Sequence, residues 1–217
     1  TVKISSKMFV KKVKPKNETQ VFSKEDERAI CDLALEKYYQ KPTSIYGLAI
    51  ALNFQLGLRV GELVALKWND ITGNYIHIQR MEAMQYTLDD TKVVSKGTSV
   101  VNYTKTPAGD RRLYLTEEAR KILKIVKERS EKYGFYDEGY IFVSNYNRRI
   151  NIRRVIKNLY QLCDEVSCDR KSSHKIRKTY VSSLFDTGMN INKIREIAGH
   201  EDERTSLHNY CFDRRSE

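Results

Sequence analysis

No apolar run in this chain is long enough to cross a membrane. Its longer apolar stretches, such as Tyr46 to Leu52 and Leu63 to Leu66, fall far short of the roughly 18 residues a spanning helix needs. A secretory leader pattern is missing too, because the basic residues from Lys3 to Lys16 flank only Met8-Phe9-Val10 rather than an apolar core segment. Cysteine is scarce. The four cysteines (Cys31, Cys163, Cys168, Cys211) are irregularly spaced and form no Cys-x-x-Cys pair, which argues against a disulfide framework or zinc ribbon and for reduced thiols. There is no His-Glu-x-x-His arrangement and no convincing carboxylate cluster, so no metal and no cofactor are expected. Internal repeats and low-complexity tracts are likewise missing. The expectation is a cytoplasmic protein with no membrane partner.

What the chain does have is positive charge. Its 39 Lys+Arg against 28 Asp+Glu leave a net +11 on 217 residues, of which 31% are charged and 40% hydrophobic. Such a composition supports a packed core and excludes disorder throughout. At roughly 100 to 200 residues per domain, the length suits one domain plus a tail. A basic balance favours a polyanionic partner, since displaced counterions drive basic surfaces onto nucleic acid, although many basic surfaces are merely solvated. Residues 1 to 16 hold Lys3, Lys7, Lys11, Lys12, Lys14 and Lys16 with no acid, and Pro15 blocks a helix there. Residues 1–20 therefore read as a basic interdomain linker ahead of one domain over 21–217. The linker suits a strap along phosphates or a solvated tether, and N-terminal domains preceding it are expected.

Helical periodicity begins at Ser23, with Ser23 and Asp26 as a capping pair and Ile30, Leu33, Ala34 and Tyr38 on one face. A second helix is predicted from about Ser44 to Leu56, stopped by Gly57, and a third from near Val60. After Gly73 the period shifts toward two. Tyr75 to Gln79, Ser99 to Lys105 and Arg111 to Leu115 read as strands of one small antiparallel sheet, with Pro107 to Asp110 as the turn between the last two. The polar stretch from Met81 to Thr98 reads as a long hairpin or insertion. Further helices are predicted from Thr116 to Gly134 and at about 151–166, 172–187, 190–198 and 203–212. The class is α+β, mostly helical, with a small antiparallel sheet and an extended hairpin insertion.

Three short motifs carry chemistry-bearing side chains. Gly57-Leu-Arg59-Val-Gly-Glu62-Leu sets a lone arginine at a glycine-marked turn before a helix, where its planar fork can meet a phosphate. The alternative is a surface arginine paired with Glu62 one turn on. His174-Lys-Ile-Arg177 puts a histidine and an arginine on one helix face, able to hydrogen-bond one phosphate or to sit there solvated. Gly199-His200 leaves a histidine at a helix end, with Leu207-His208-Asn209-Tyr210 beyond it. Singly, each motif favours the plainer alternative.

Together they do not. Arginine in Gly-Leu-Arg-x-Gly-Glu-Leu, Lys105 on a strand before a turn, His-x-x-Arg, Gly-His and a late tyrosine, in that order across residues 59 to 210, resemble the catalytic domain of tyrosine recombinases, the phage-integrase family. The long insertion makes the chain most similar to conjugative-transposon integrases. One departure is that His200 to Tyr210 is about one residue longer than the family spacing. The resemblance implies a catalytic set of Arg59, Lys105, His174, Arg177, His200 and Tyr210, with strand cleavage through a 3′ phosphotyrosine and no cofactor.

Elementary chemistry asks for the same groups. Two arginines, Arg59 and Arg177, match the charge of a phosphorane-like transition state. A tyrosine hydroxyl, Tyr210, attacks phosphorus and stores the bond energy for religation. A lysine, Lys105 by resemblance with Lys92 and Lys96 as lower-ranked substitutes, protonates the leaving 5′ oxygen. His174 helps take the tyrosine proton or binds the phosphate, His200 bonds a nonbridging oxygen, and Glu62 buttresses the arginine. Arg148, Arg149, Arg153 and Arg154, and then Arg170, Lys171, Lys175 and Lys178, are the expected DNA contacts, mostly to phosphates. The insertion at 81–101 is a candidate to brace a groove and bend the duplex.

The resemblance further implies double-stranded DNA (element ends and a target site) as partner and a homotetramer working through a Holliday junction. It also implies excision and integration of a mobile element, a nucleoid location, and an excisionase or DNA-bending protein as accessory. A type IB-like topoisomerase and an inactive basic DNA-binding module are the rival readings.

Overall fold

The computed structural model describes residues 21–42, 44–89 and 92–199, the side chains of Asp89 and Lys92 excepted. The basic arm, the helix expected at 203–212, His200 and Tyr210 lie outside the described residues. In chain order the first elements are α1 (Lys24–Gln40), α2 (Tyr46–Leu56), α3 (Val60–Val64), β1 (Ile71–Thr72) and β2 (Tyr75–Ile78). There follow β3 (Met81–Asp89), β4 (Lys92–Val101), β5 (Arg111–Tyr114), α4 (Glu117–Tyr133), α5 (Ile152–Glu165), α6 (Ser173–Asp186) and α7 (Ile191–Ala198).

The centre is α2, which is apolar all round and buries nearly every residue from Gly47 to Leu56, as a helix covered on all faces must. It is packed by α1, α4, α5 and α6. Caps fix the ends of these helices. Ser23 Oγ accepts from Asp26 N at 3.0 Å at the start of α1, Thr116 Oγ1 from Ala119 N at 3.1 Å at the start of α4, and Asn151 Oδ1 from Arg154 N at 3.0 Å at the start of α5. Each satisfies an amide with no partner inside its helix. Buried Arg129 on α4 ties down two loops by donating to the Pro42 carbonyl at 2.8 Å and the Val143 carbonyl at 2.9 Å. A smaller apolar cluster of Val181, Ile194 and Ala198 joins α6 to α7. Among the described residues no helix is long and apolar enough to cross a membrane.

The strands form two sheets rather than one. β1, β2 and β5 make an antiparallel sheet in that order, with Ile76 opposite Leu113 and Ile78 opposite Arg111. β3 and β4 make a separate two-stranded ribbon, which is the hairpin expected from 81 onward. The expected strand from Ser99 to Lys105 is therefore corrected. Ser99 to Val101 belongs to the ribbon, where Met81 faces Val101 and Ala83 faces Ser99. Lys105 lies in a bend beyond the strand end. Pairing with the nearest strand in sequence closes the shorter loop, and Thr104 Oγ1 bonding to the Thr106 carbonyl at 2.7 Å curls the chain away from a ladder. The helical turn at Pro107–Gly109 then leads into β5, which pairs with β2.

Candidate active site

α2 must stop sharply for Arg59 to be delivered. Gly57 supplies the stop with φ 58°, and a Cβ there would meet the Tyr180 ring of α6 at 2.2 Å, so only glycine fits. Arg59 is then the N-cap of α3. Glu62 reaches back to accept from Arg59 N at 3.1 Å and from Arg59 Nη1 at 2.8 Å. The pair is present, but it is no surface pair, since the Glu62 side chain is fully buried while Arg59 keeps 24% of its side chain exposed. Glu62 also accepts from Arg111 Nη2 at 3.1 Å. Burial pushes the Glu62 pKa up, but Arg111, Arg177 and Arg59 together outweigh it and hold the carboxyl below its ordinary value.

The other pole of the site is the C-terminus of α7. Helices end with carbonyls that have no partner within the helix, at the negative end of the dipole. Here arginines take three consecutive ones. Arg111 Nε donates to the Ile197 carbonyl at 2.8 Å, Arg177 Nη2 to that of Ala198, and Arg59 Nη2 to that of Gly199 at 3.3 Å. Arg177, 1% exposed, also donates from Nη1 to the Gly57 carbonyl at 2.8 Å, which ties α6 to the turn that carries Arg59. His200, the next residue, is outside the described residues.

The turn after Lys105 packs into the same junction. A Cβ on Gly109 would lie 2.6 Å from Thr104 Oγ1 and 3.5 Å from Arg59 Nη1, and one on Gly199 would lie 2.7 Å from the Ala108 carbonyl oxygen. Lys105 itself is exposed. Lys96, a lower-ranked substitute, is exposed on β4, and the side chain of Lys92 lies outside the described residues.

His174 stands one turn before Arg177 on α6, partly open to solvent. Partial burial first, and then the positive charge of Arg177, Lys178, Lys175 and Arg59, pull its pKa from 6.5 to about 4. It is therefore neutral at pH 7, with one ring nitrogen able to accept a proton or hydrogen bond.

The expected DNA contacts divide into two kinds. Arg148, Arg153 and Arg154 are exposed around the start of α5. Arg148 and Arg154 line a cleft of about 550 Å³ with Tyr46, Tyr146, Ser144, Asn151 and Arg149. Arg149 is drawn inward to Glu82 at 2.6 Å, which anchors the foot of β3 beside α5. Arg170 is exposed and bidentate to Asp164. Lys171, 7% exposed, sits 3.7 Å from Asp26 and over the Phe22 ring. Lys175 and Lys178 are half-buried on α6, and burial, then a neighbouring lysine, lowers the pKa of each.

Arg111 joins the candidate site without belonging to any of the three motifs. A signal was present: alternation in Arg111-Arg-Leu113-Tyr-Leu115 puts Arg111 on the same strand face as two core leucines, and an arginine on a core face needs a buried partner.

The family model described as the phage integrase family matches residues 20–216. The chain belongs to that family. It is 27% identical over 160 residues to a tyrosine recombinase XerC-like protein of Caldanaerobacter subterraneus subsp. tengcongensis, covering 69% of this chain and 41% of that one. It is 24% identical over 168 residues to the integrase of Staphylococcus phage L54a, covering 75% and 46%. The chain thus spans less than half the length of either relative. Among solved structures, it is similar to the Tn1549 transposon integrase in complex with circular intermediate DNA, at a TM-score of 0.72 and 18% identity over 96% of this chain and 66% of that one. It is also similar to the XerA recombinase, at a TM-score of 0.67 and 22% identity over 89% and 60%. These likenesses establish the fold as that of a tyrosine recombinase catalytic domain, mostly helical with small antiparallel sheets.

Proposed function

We propose that this chain is the catalytic domain of a site-specific DNA recombinase that excises and integrates a mobile element by transesterification. The observation that carries the reading is the arginine junction, in which Arg59 and Arg111 share the buried carboxylate of Glu62 and the charge of Arg177 helps to hold its pKa down. Guanidinium groups gathered beside a partly exposed Arg59 suit a phosphodiester that gains charge in its transition state. Family membership and the DNA complexes among the similar structures support the same substrate class.

In this reading the Tyr210 oxygen attacks phosphorus and the P–O5′ bond breaks, giving a 3′ phosphotyrosine and a free 5′ hydroxyl. Lys105 gives its proton to the departing 5′ oxygen. The phenol proton passes toward His174, which is neutral in the free protein. A phosphate bound among the cations that depress the His174 pKa raises it, so the histidine becomes a better base where it is needed. His200 bonds a nonbridging oxygen. Attack by a 5′ hydroxyl of another strand reverses the steps and needs no cofactor. Arg148, Arg153, Arg154, Lys175 and Lys178 hold phosphates, and four copies act together on paired duplexes, with an excisionase or DNA-bending protein as accessory. Residues 1–20 link this domain to DNA-binding domains that precede it.

The test is covalent capture on a nicked suicide duplex in chelator, with the adduct mapped by mass spectrometry. DNA on the Tyr210 peptide, lost in Tyr210→Phe, is expected. An adduct with supercoil relaxation and no Holliday junction means a topoisomerase. Binding without an adduct means an inert DNA-binding module.

A further inference from the structure

We infer that Arg111 is a positioning residue that seats the general-acid turn, and the inference rests on the catalytic reading just given. Its guanidinium has three acceptors on three segments. Nε donates to the Ile197 carbonyl at the end of α7 at 2.8 Å, Nη1 to the Gly109 carbonyl of the turn after Lys105 at 2.8 Å, and Nη2 to Glu62 Oε2 at 3.1 Å. Each segment adjoins a candidate catalytic side chain: His200 follows α7, Lys105 precedes the turn, and Glu62 grips Arg59. The group is buried, at 8% exposure for the residue, so it cannot touch DNA itself. It acts through what it holds.

Tightness at this point is independent of the hydrogen bonds. Gly199 abuts the turn so closely that an added Cβ would lie 2.7 Å from the Ala108 carbonyl oxygen, and within the turn a Cβ on Gly109 would lie 2.6 Å from Thr104 Oγ1 and 3.5 Å from Arg59 Nη1. The turn is therefore closely seated against α7 and Arg59, and Arg111, at the start of β5, fixes it through the Gly109 carbonyl. Lysine retains the charge that Glu62 needs, but a single ammonium on a flexible stem cannot reproduce the rigid fork. In Arg111→Lys the turn should loosen while the ion pair with Glu62 persists.

Two readouts test this. The first is amide hydrogen exchange on Arg111→Lys, where faster exchange confined to residues 104–110 and 196–199, with α1 and α2 unchanged, is expected. Uniformly faster exchange, or no change, overturns the inference. This readout needs no cleavage activity, so it stands even if the catalytic reading fails. The second compares suicide duplexes carrying an ordinary 5′ oxygen or a sulfur at the scissile bridge. A thiolate leaves without being protonated, so a displaced acid matters only for oxygen.

Arg111→Lys should cleave the oxygen substrate about 10²-fold more slowly and recover on sulfur, as should Lys105→Ala. An equal loss on both substrates makes Arg111 merely structural and overturns the inference. Failure of sulfur to rescue Lys105→Ala instead removes Lys105 as the acid and leaves the exchange result to decide on Arg111.

Discussion

Two arginine–carboxylate arrangements in this chain have the same chemistry and opposite settings. On the surface, Arg170 meets both oxygens of Asp164 at 2.6 Å, with side-chain exposures of 62% and 45%. In the junction, Arg59 and Arg111 reach Glu62 at 2.8 and 3.1 Å, with Glu62 fully buried. The surface pair has the shorter contacts and matters less, because water and salt screen it and both partners are well solvated without it. In the junction Glu62 and Arg111 are shut away from water, so solvent does not replace a lost partner there. Removing one leaves an uncompensated buried charge, whose cost exceeds anything the pair itself contributes. Burial, rather than distance, marks which arginines the site depends on.

Glu62→Gln breaks the contrast most severely. It should lower stability by about 3–5 kcal/mol, seen as a fall in Tm on the order of 10 °C, and a Tm within 2 or 3 °C of the parent would mean the guanidiniums find compensation elsewhere. Arg59→Ala is the next largest. It should slow adduct formation by about 10²–10³-fold, or roughly 2.7–4 kcal/mol, while DNA binding measured by anisotropy stays within a few-fold.

Acid sharpens the comparison through His174, whose pKa is about 4 in the folded chain against about 6.5 unfolded. Between those values the unfolded chain binds the extra proton, so stability falls as pH drops from about 6.5 toward 4. The held-down pKa of Glu62 acts in the same direction at the acid end. Melting at pH 7, 6 and 5 should show the decline, and His174→Gln should flatten its upper part. On the surface, Arg153→Ala should leave Tm unchanged while reducing the slope of log K against log salt by about 1. Asp164→Asn should be the mildest of all, at about 0–1 kcal/mol in a urea melt.

Most of the helical frame was legible because its signals are local. Ser23 and Thr116 each stand just before a helical run, and Gly57, Gly134 and Gly199 close three helices in the left-handed conformation. The break of the strands into two sheets was not, because partner choice is a non-local matter that Ser99-Val-Val does not encode by itself. Of the candidate site, Arg59, His174 and Arg177 stand in motif order, and the structure brings Arg59 and Arg177 onto neighbouring carbonyls while His174 stands one turn from Arg177. That Arg149 and Lys171 face inward was hidden, because a run of basic residues looks alike whether or not a carboxylate such as Glu82 or Asp26 waits beneath it.

The acceptors at the end of α7 are backbone groups, and that shapes what a mutational scan of this domain would record. Replacing the side chain of Ile197 or Ala198 leaves the carbonyl that Arg111 or Arg177 uses, so the scan would register only how well each new side chain packs. Gly199 is the exception, because a Cβ there runs into the Ala108 carbonyl. A screen for polar side chains that hold the arginines would find Glu62 and miss the rest, since most of the described acceptors are backbone carbonyls, which every amino acid supplies.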